Sequence, residues 1–340
     1  MSFVTSRGNW GNDSSGSGDG RQAGVRHPSL ATVVAQLFKI RLVSLVVTTT
    51  AVGYLLGAGD SWSAPTLLWT ILGTALAGAG SMALNERLEM HRDACMERTR
   101  TRPLPAGHVS PGVATAVGIS VATAGVLTLA LSAGHRPALL AAAVVVLYTL
   151  VYTPLKPRTS ANTLIGAVCG AIPPLIGWTA ARGELELGAW LLFAILFLWQ
   201  VPHFLALAWL YRADYARGGF RMLPSEDPDG HLTGLAAVLH TAALAPIPVV
   251  ATLHGLGGWV SAAGGVLLVA WLLSAAVRMA QQRSDASARR LFLSTLAFLP
   301  LVLGLMLVDR GGGEGATPTM ATLPPTALNA AGLAHGAPYP

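Results

Sequence analysis

Nine stretches of this chain are so long and so apolar that they read as helices crossing a lipid bilayer, and that alone excludes most folds. They run over about 32–57, 65–84, 110–132, 136–153, 162–181, 187–210, 233–253, 257–279 and 290–308. A run of roughly 18 or more apolar residues is the length a spanning helix needs. In hydrocarbon every backbone N–H and C=O must be satisfied within the segment, which an isolated strand cannot do. Charged residues are 11% of the 340, too few to clothe a water-soluble globule, where about 25% is usual. The expected fold is all-α: a polytopic membrane protein of nine transmembrane helices over residues 29–309. Residues 1–28 and 310–340, rich in Gly, Ser, Pro and Ala, are expected to be disordered tails. Two cysteines, Cys95 and Cys169, exclude a disulfide framework or a Cys-rich zinc site.

The net charge of +6 belongs to topology rather than to nucleic acid. Of the 22 Lys and Arg residues, only Arg136, Arg182 and Arg310 fall on odd-numbered loops or the C-terminus. The other nineteen flank the N-terminus and the even-numbered loops, so the N-terminus and those loops are expected on the cytoplasmic side.

Topology does not explain the acids that sit among those cations. The second span runs on into SMALNERLEMHRDACMERTRTRPLPAG. Asn85, Glu89 and Asp93 are spaced four apart, on one face of a helix about 12 Å long. Two carboxylates one turn apart repel unless a cation lies between them. A hard divalent ion such as Mg²⁺ suits them and keeps positions open for phosphate oxygens, with nearby arginines free to neutralise the rest of a diphosphate. The bland alternative is a solvated helix end of mixed charge, but ionisable groups continuing from a spanning helix are functional by default. A second segment, YTPLKPRTSANTLIGAVCGAIPPLIGW, brings Lys156 and Arg158 to the same face, with Pro173–Pro174 breaking the span behind them. The third, WQVPHFLALAWLYRADYARGGFRMLP, buries Gln200 and His203 in an apolar helix and ends in Tyr211 and Asp214. His203 is either a satisfied interior residue, with Gln200 as its partner, or a ligand.

On these residues the chain resembles the protohaem IX farnesyltransferases, or haem O synthases, of the UbiA-type intramembrane prenyltransferase superfamily. The likeness runs from about Leu37 to Val308. It is carried by LFKIRLVSLVVTTTAVGYLL, by the Asn85–Asp93 motif with RTRTRPLP after it, and by the second and third segments above. It implies transfer of a farnesyl group from farnesyl diphosphate to a vinyl group of haem b, giving haem o, with water adding as hydroxyl. Asn85, Glu89, Asp93 and Asp214 would be the catalytic set, with Glu89, Asp93 and Asp214 holding Mg²⁺. Arg98, Arg102, Lys156 and Arg158 would contact the diphosphate, His203 the porphyrin, and Tyr211 or Glu226 would replace an absent second acid. Tyr148, Tyr152, Trp178, Phe197, Trp199 and Phe204 are candidate cavity aromatics. A bacterial inner membrane is the expected location, and haem A synthase or a terminal oxidase the implied recipient of haem o. Two departures stand out. Glu89 occupies a position where bacterial members commonly carry Asp, and Gly218 stands where the superfamily's second D-x-x-x-D motif ends.

Two other readings compete. A quinone- or chlorin-prenylating relative predicts an intact second acid motif and gives no reason for the PHF sequence. A transporter explains the spans and the buried polar residues, but not paired acids at one membrane surface.

Overall fold

The computed structural model describes residues 28–310, so the expected tails lie outside the described residues except for their innermost residues, of which Arg310 donates to the Leu55 carbonyl. Nine described helices are long and apolar enough to cross a membrane. They are α1 (Ile40–Ser61), α2 (Ala64–Asp93), α3 (Pro111–Ser132), α4 (His135–Leu155), α5 (Asn162–Arg182), α6 (Leu187–Leu210), α7 (His231–Leu253), α8 (Trp259–Gln282) and α9 (Asp285–Val308). The protein is an all-helical integral membrane protein, as the apolar runs require.

Two boundaries differ from the apolar runs, and each has a cause. Leu30–Leu37 is a separate entry helix, begun by Ser29 accepting from the Thr32 N–H. Lys39 then takes a left-handed conformation (φ 46°, ψ 53°), which breaks the chain ahead of α1. By contrast α2 continues beyond its apolar part to Asp93, with Asn85, Glu86, Glu89 and Asp93 all buried. Short links alternate the helix directions. The loops after α2, α4, α6 and α8 therefore gather with the entry helix at one end of the bundle, called here the acid-bearing end.

Lipid tails are as apolar as Leu, so helices in a bilayer associate through close packing of small residues. Along α2, Gly73, Ala77 and Gly80 meet Gly118, Ala122 and Gly125 of α3. A Cβ on Gly80 would lie 2.4 Å from the Ala122 nitrogen, and one on Gly125 2.3 Å from that of Ala77. α1 and α5 approach as closely, since a Cβ on Gly177 would fall 1.9 Å from the Thr50 carbonyl oxygen. The largest buried apolar cluster surrounds α6, with Leu196, Leu205, Leu272, Leu291 and Phe298 among its members.

Three spans are irregular: α4 beside the acid-bearing end, α5 at Ile172 and α7 at Leu244–Pro246. Residues Leu147–Tyr152 of α4 form a π-helical turn, a distortion that recurs at functional sites; Thr153 Oγ1 donates back to the Tyr148 carbonyl at 2.8 Å. In α5, Pro173 cannot donate to the preceding turn, and the helix divides into Asn162–Ala171 and Pro173–Arg182.

Packing this close predicts sharp position dependence. Gly177→Ala is expected to lower stability by about 1–3 kcal/mol through overpacking. Gly304→Ala, whose Cβ meets nothing within 4 Å, should be neutral or stabilising by up to about 1 kcal/mol. Thermal unfolding of the purified proteins in detergent measures both.

Candidate active site

The site begins as one stripe on α2. Asn85, Glu89 and Asp93 are all nearly inaccessible, and a cation from a different segment meets each. Lys39 Nζ donates to Asn85 Oδ1 at 2.5 Å. Lys156 Nζ, just past α4, lies 2.7 Å from Glu89 Oε1. Arg102, from the loop after α2, reaches Asp93 Oδ2 at 2.6 Å. Lys39 and Lys156 are the only lysines in the chain, and both point at this stripe. Asn85 Nδ2 also donates to Thr153 Oγ1 at 2.9 Å, which ties the stripe to the π turn of α4. Glu86 looks the other way and accepts the Leu104 N–H at 3.1 Å.

The stripe keeps spare oxygen capacity. Asp93 Oδ1 is buried with no hydrogen-bond partner, as is Glu86 Oε2. An unpartnered buried carboxylate oxygen is costly, and a hard cation taking oxygens from Glu89 and Asp93 would relieve that cost. The donor set thus fits a divalent ion such as Mg²⁺.

The cations respond differently to burial. Lys39 is pulled down to about 8, first by burial and then by Arg102, with Glu89 and Asp93 opposing. Burial also works against the Lys156 ammonium, but Glu89 and the neighbouring tyrosines outweigh it and its pKa rises well above the usual lysine value.

Aromatic rings separate these cations from a second group at the rim. Lys156 Nζ sits 4.6 Å from the Tyr152 ring centroid, and Tyr152 lies 5.1 Å from Tyr148. Phe220 is flanked by Lys156 at 5.7 Å and Arg92 at 5.9 Å. Arg98 lies over Tyr211 at 4.8 Å and donates to the Tyr215 hydroxyl at 3.2 Å. Beside it opens a cleft of about 440 Å³ lined by Glu97, Arg98, Tyr211, Asp214 and Arg217.

Other expected residues sit elsewhere. Among the described residues no three of His, Cys, Asp and Glu gather into a metal site, the α2 acids included; Asp214 itself lies past the end of α6. It accepts from the Glu97 N–H and from Arg217, at 2.9 and 2.7 Å. Burial opposes its charge, but these donors hold its carboxyl below the usual range. Arg158 is exposed, and its carbonyl accepts from Arg221. Glu226 pairs with that same Arg221, and Tyr211 covers Arg98. The partner of His203 is Thr295 of α9, at 2.8 Å, rather than Gln200. Positions three apart on a helix lie on adjoining faces, and Gln200 turns to Gly170 of α5 instead. The His203 ring lies between Trp199 and Phe292, 5.2 and 5.0 Å away. Trp199 bonds the Thr295 carbonyl, Phe197 stacks on Phe193, and Phe204 lies against His203. Trp178 fills the space between Gly57 and Gly188. Of the six candidate aromatics, only Tyr148 and Tyr152 stand beside the cations. Lys39, Thr153 and Tyr215 were not singled out from the sequence; a lysine at the threshold of an apolar run was the available signal for the first.

The sequence pattern of the UbiA prenyltransferase family matches residues 46–301. A protein from Solibacter usitatus named protoheme IX farnesyltransferase is 41% identical over 286 residues, covering 82% of this chain and 98% of that one. The fold is similar to that of a UbiA homologue from Aeropyrum pernix K1, with a TM-score of 0.62 and 20% identity over 83% of this chain and 98% of that one. It is also similar to a UbiA homologue from Archaeoglobus fulgidus bound to GPP and Mg²⁺, with a TM-score of 0.60 and 13% identity over 81% and 99% of the two chains.

The depressed Lys39 gives the site a pH signature. The ammonium is charged below about 8 and loses its proton above it. Affinity for inorganic diphosphate with Mg²⁺ is therefore expected to fall as pH rises from 7 to 9. Lys39→Arg, which stays charged throughout, should remove most of that fall. Titration calorimetry at stepped pH reads the difference.

Proposed function

We infer the reaction from one premise: the chain belongs to the UbiA prenyltransferase family, and its relatives of about 40% identity are protoheme IX farnesyltransferases. It transfers a farnesyl group from farnesyl diphosphate to a vinyl group of haem b, giving haem o and diphosphate. The observation that carries this reading is the α2 stripe, where buried Glu89 and Asp93 meet Lys156 and Arg102 and Asp93 Oδ1 is left unpartnered.

The geometry divides the labour. Glu89 and Asp93 would hold Mg²⁺, which when bound supplies positive charge to the diphosphate oxygens. Lys39, Lys156 and Arg102 stand ready around that position to stabilise the charge that grows as the C–O bond breaks and its electron pair leaves with the diphosphate. Tyr148 and Tyr152, beside Lys156, line the side toward the bilayer interior and limit access of water to the allylic cation. The vinyl π electrons of haem b form the new C–C bond. The cation left on the adjacent carbon takes a water molecule and releases a proton, which completes the hydroxyl. Asn85 positions the apparatus by joining Lys39 to Thr153. His203, with Nδ1 on Thr295 and both faces covered, has its Nε2 edge left to meet the porphyrin.

The acid-bearing end faces the cytoplasm of a bacterial inner membrane, a reading supported by the nineteen-to-three distribution of basic residues. The product then passes to haem A synthase or to a terminal oxidase.

Purified protein incubated with haem b, farnesyl diphosphate and Mg²⁺ should form haem o, detected by mass spectrometry; no prenylated haem would sink the assignment. Asp93→Ala should lower turnover by about 10²-fold or more, the scale of losing a main electrostatic element, while the protein stays folded and inserted. Topology has its own test. Cys95 is exposed at the acid-bearing end and Cys169 is buried, so an impermeant maleimide should label inside-out vesicles and spare right-side-out ones.

A further inference from the structure

His203 and Thr295 join α6 to α9, and the hydrogen bond between them has a fixed direction. Thr295 Oγ1 gives its one proton to the Phe292 carbonyl at 2.6 Å, and a carbonyl can only accept. Toward His203 Nδ1, at 2.8 Å, the same hydroxyl must therefore accept, so Nδ1 carries the ring hydrogen. A neutral imidazole protonated on one nitrogen keeps a lone pair on the other. His203 thus presents Nε2 as an acceptor. Thr295 is fully buried, and its carbonyl is held by the Trp199 indole N–H at 2.7 Å, so the group that sets this tautomer is itself fixed.

The ring is also prepared for positive charge. Its two faces lie against Trp199 and Phe292, with ring centroids 5.2 and 5.0 Å away, and aromatic faces attract a cation at such distances. An imidazolium formed by proton uptake at Nε2 keeps the Nδ1 bond to Thr295 as it is. The helix α5 links this pair to the cations of the site. Gly166 and Gly170 lie one turn apart on it, about 6 Å along the axis. The Tyr152 ring packs on Gly166 and the Gln200 amide on Gly170. Gln200 precedes His203 by three residues, and its Oε1 is buried without a partner. This part of α6 therefore carries open acceptors beside the helix that also seats Tyr152.

Water addition is the step that needs such a base. A cation denied water loses a proton from the neighbouring CH₂ instead and becomes an alkene. We propose that His203 Nε2 takes the proton of the adding water, and that Thr295 is the positioning residue that keeps Nε2 free of hydrogen. A lone pair of the water oxygen forms the bond to the cationic carbon. One O–H bond breaks, its electron pair stays on oxygen, and its proton passes to Nε2. This rests on farnesyl transfer to haem b as read above.

The test uses the full chain in detergent with haem b, farnesyl diphosphate and Mg²⁺, and reads the products by mass spectrometry. Unaltered protein should give haem o with little of the alkene, which is one water lighter. Thr295→Val keeps the shape and loses the hydroxyl. It should raise the ratio of alkene to haem o about tenfold, and His203→Gln about a hundredfold, the lower end of what a positioned base contributes. Thr295→Ser should restore the unaltered ratio. A merely structural Thr295 would lower total turnover and leave the ratio alone. In ¹⁵N-histidine-labelled protein without substrates, the His203 signals, assigned by their loss in His203→Gln, should show the hydrogen on Nδ1. The proposal is overturned by a hydrogen on Nε2 there, or by an unchanged product ratio in Thr295→Val. A Soret band of bound haem b that moves in His203→Gln would put Nε2 on the iron and overturn it as well. Unaltered protein that forms no prenylated haem would instead overturn the reaction, and the base with it.

Discussion

Acids buried at the end of a spanning helix can stay ionised only where cations are brought to them, and the acid-bearing end is organised around that demand. The three polar residues of α2 take a lysine from before α1, a lysine from after α4 and an arginine from the following loop. Each of those cations is anchored in turn. Lys39 sits at a left-handed break, Lys156 lies over Tyr152 beside the π turn, and Arg102 rides on a loop latched by Asp214. The left-handed Lys39 and the π turn of α4 lie where charges must meet, whereas the breaks of α5 at Ile172 and of α7 at Leu244–Pro246 lie within the spans.

Pairing also prepares the site for its substrate. Lys156 and Arg102 already face oxygens when the site holds only protein, so they need little reorganisation when a diphosphate and its cation arrive. Preorganised charge of this kind acts without the cost of turning solvent dipoles during reaction. The unpartnered Asp93 Oδ1 is the complement of that arrangement, a buried oxygen left open on the carboxylate whose other oxygen meets Arg102.

Much of this was legible in the sequence because it is local. Apolar runs marked the nine helices, and a spacing of four put Asn85, Glu89 and Asp93 on one face. Pro173 marked the break in α5. What periodicity shows is which residues share a face, not what that face meets. His203 was paired on paper with Gln200, three residues away, but its partner lies 92 positions further on, in α9. Asp214 reads as a third acid for the metal, and what the folded loops add is that its oxygens also accept from the amides of Glu97 and Arg98. The left-handed Lys39 left no mark because a non-glycine residue there is held by its tertiary bond to Asn85 rather than by local propensity.

The glycine and alanine seam between α2 and α3 bears on how such a chain is assembled. Gly and Ala have almost no rotamer freedom to lose on packing, so these two helices can pair as soon as both have left the ribosome and entered the bilayer. At that stage the acids at the tip of α2 have Lys39 and Arg102 within reach, but Lys156 is still to be synthesised. Placing the acids at the membrane boundary lets water solvate them during that wait. The last cation then closes over a hairpin that was already in place.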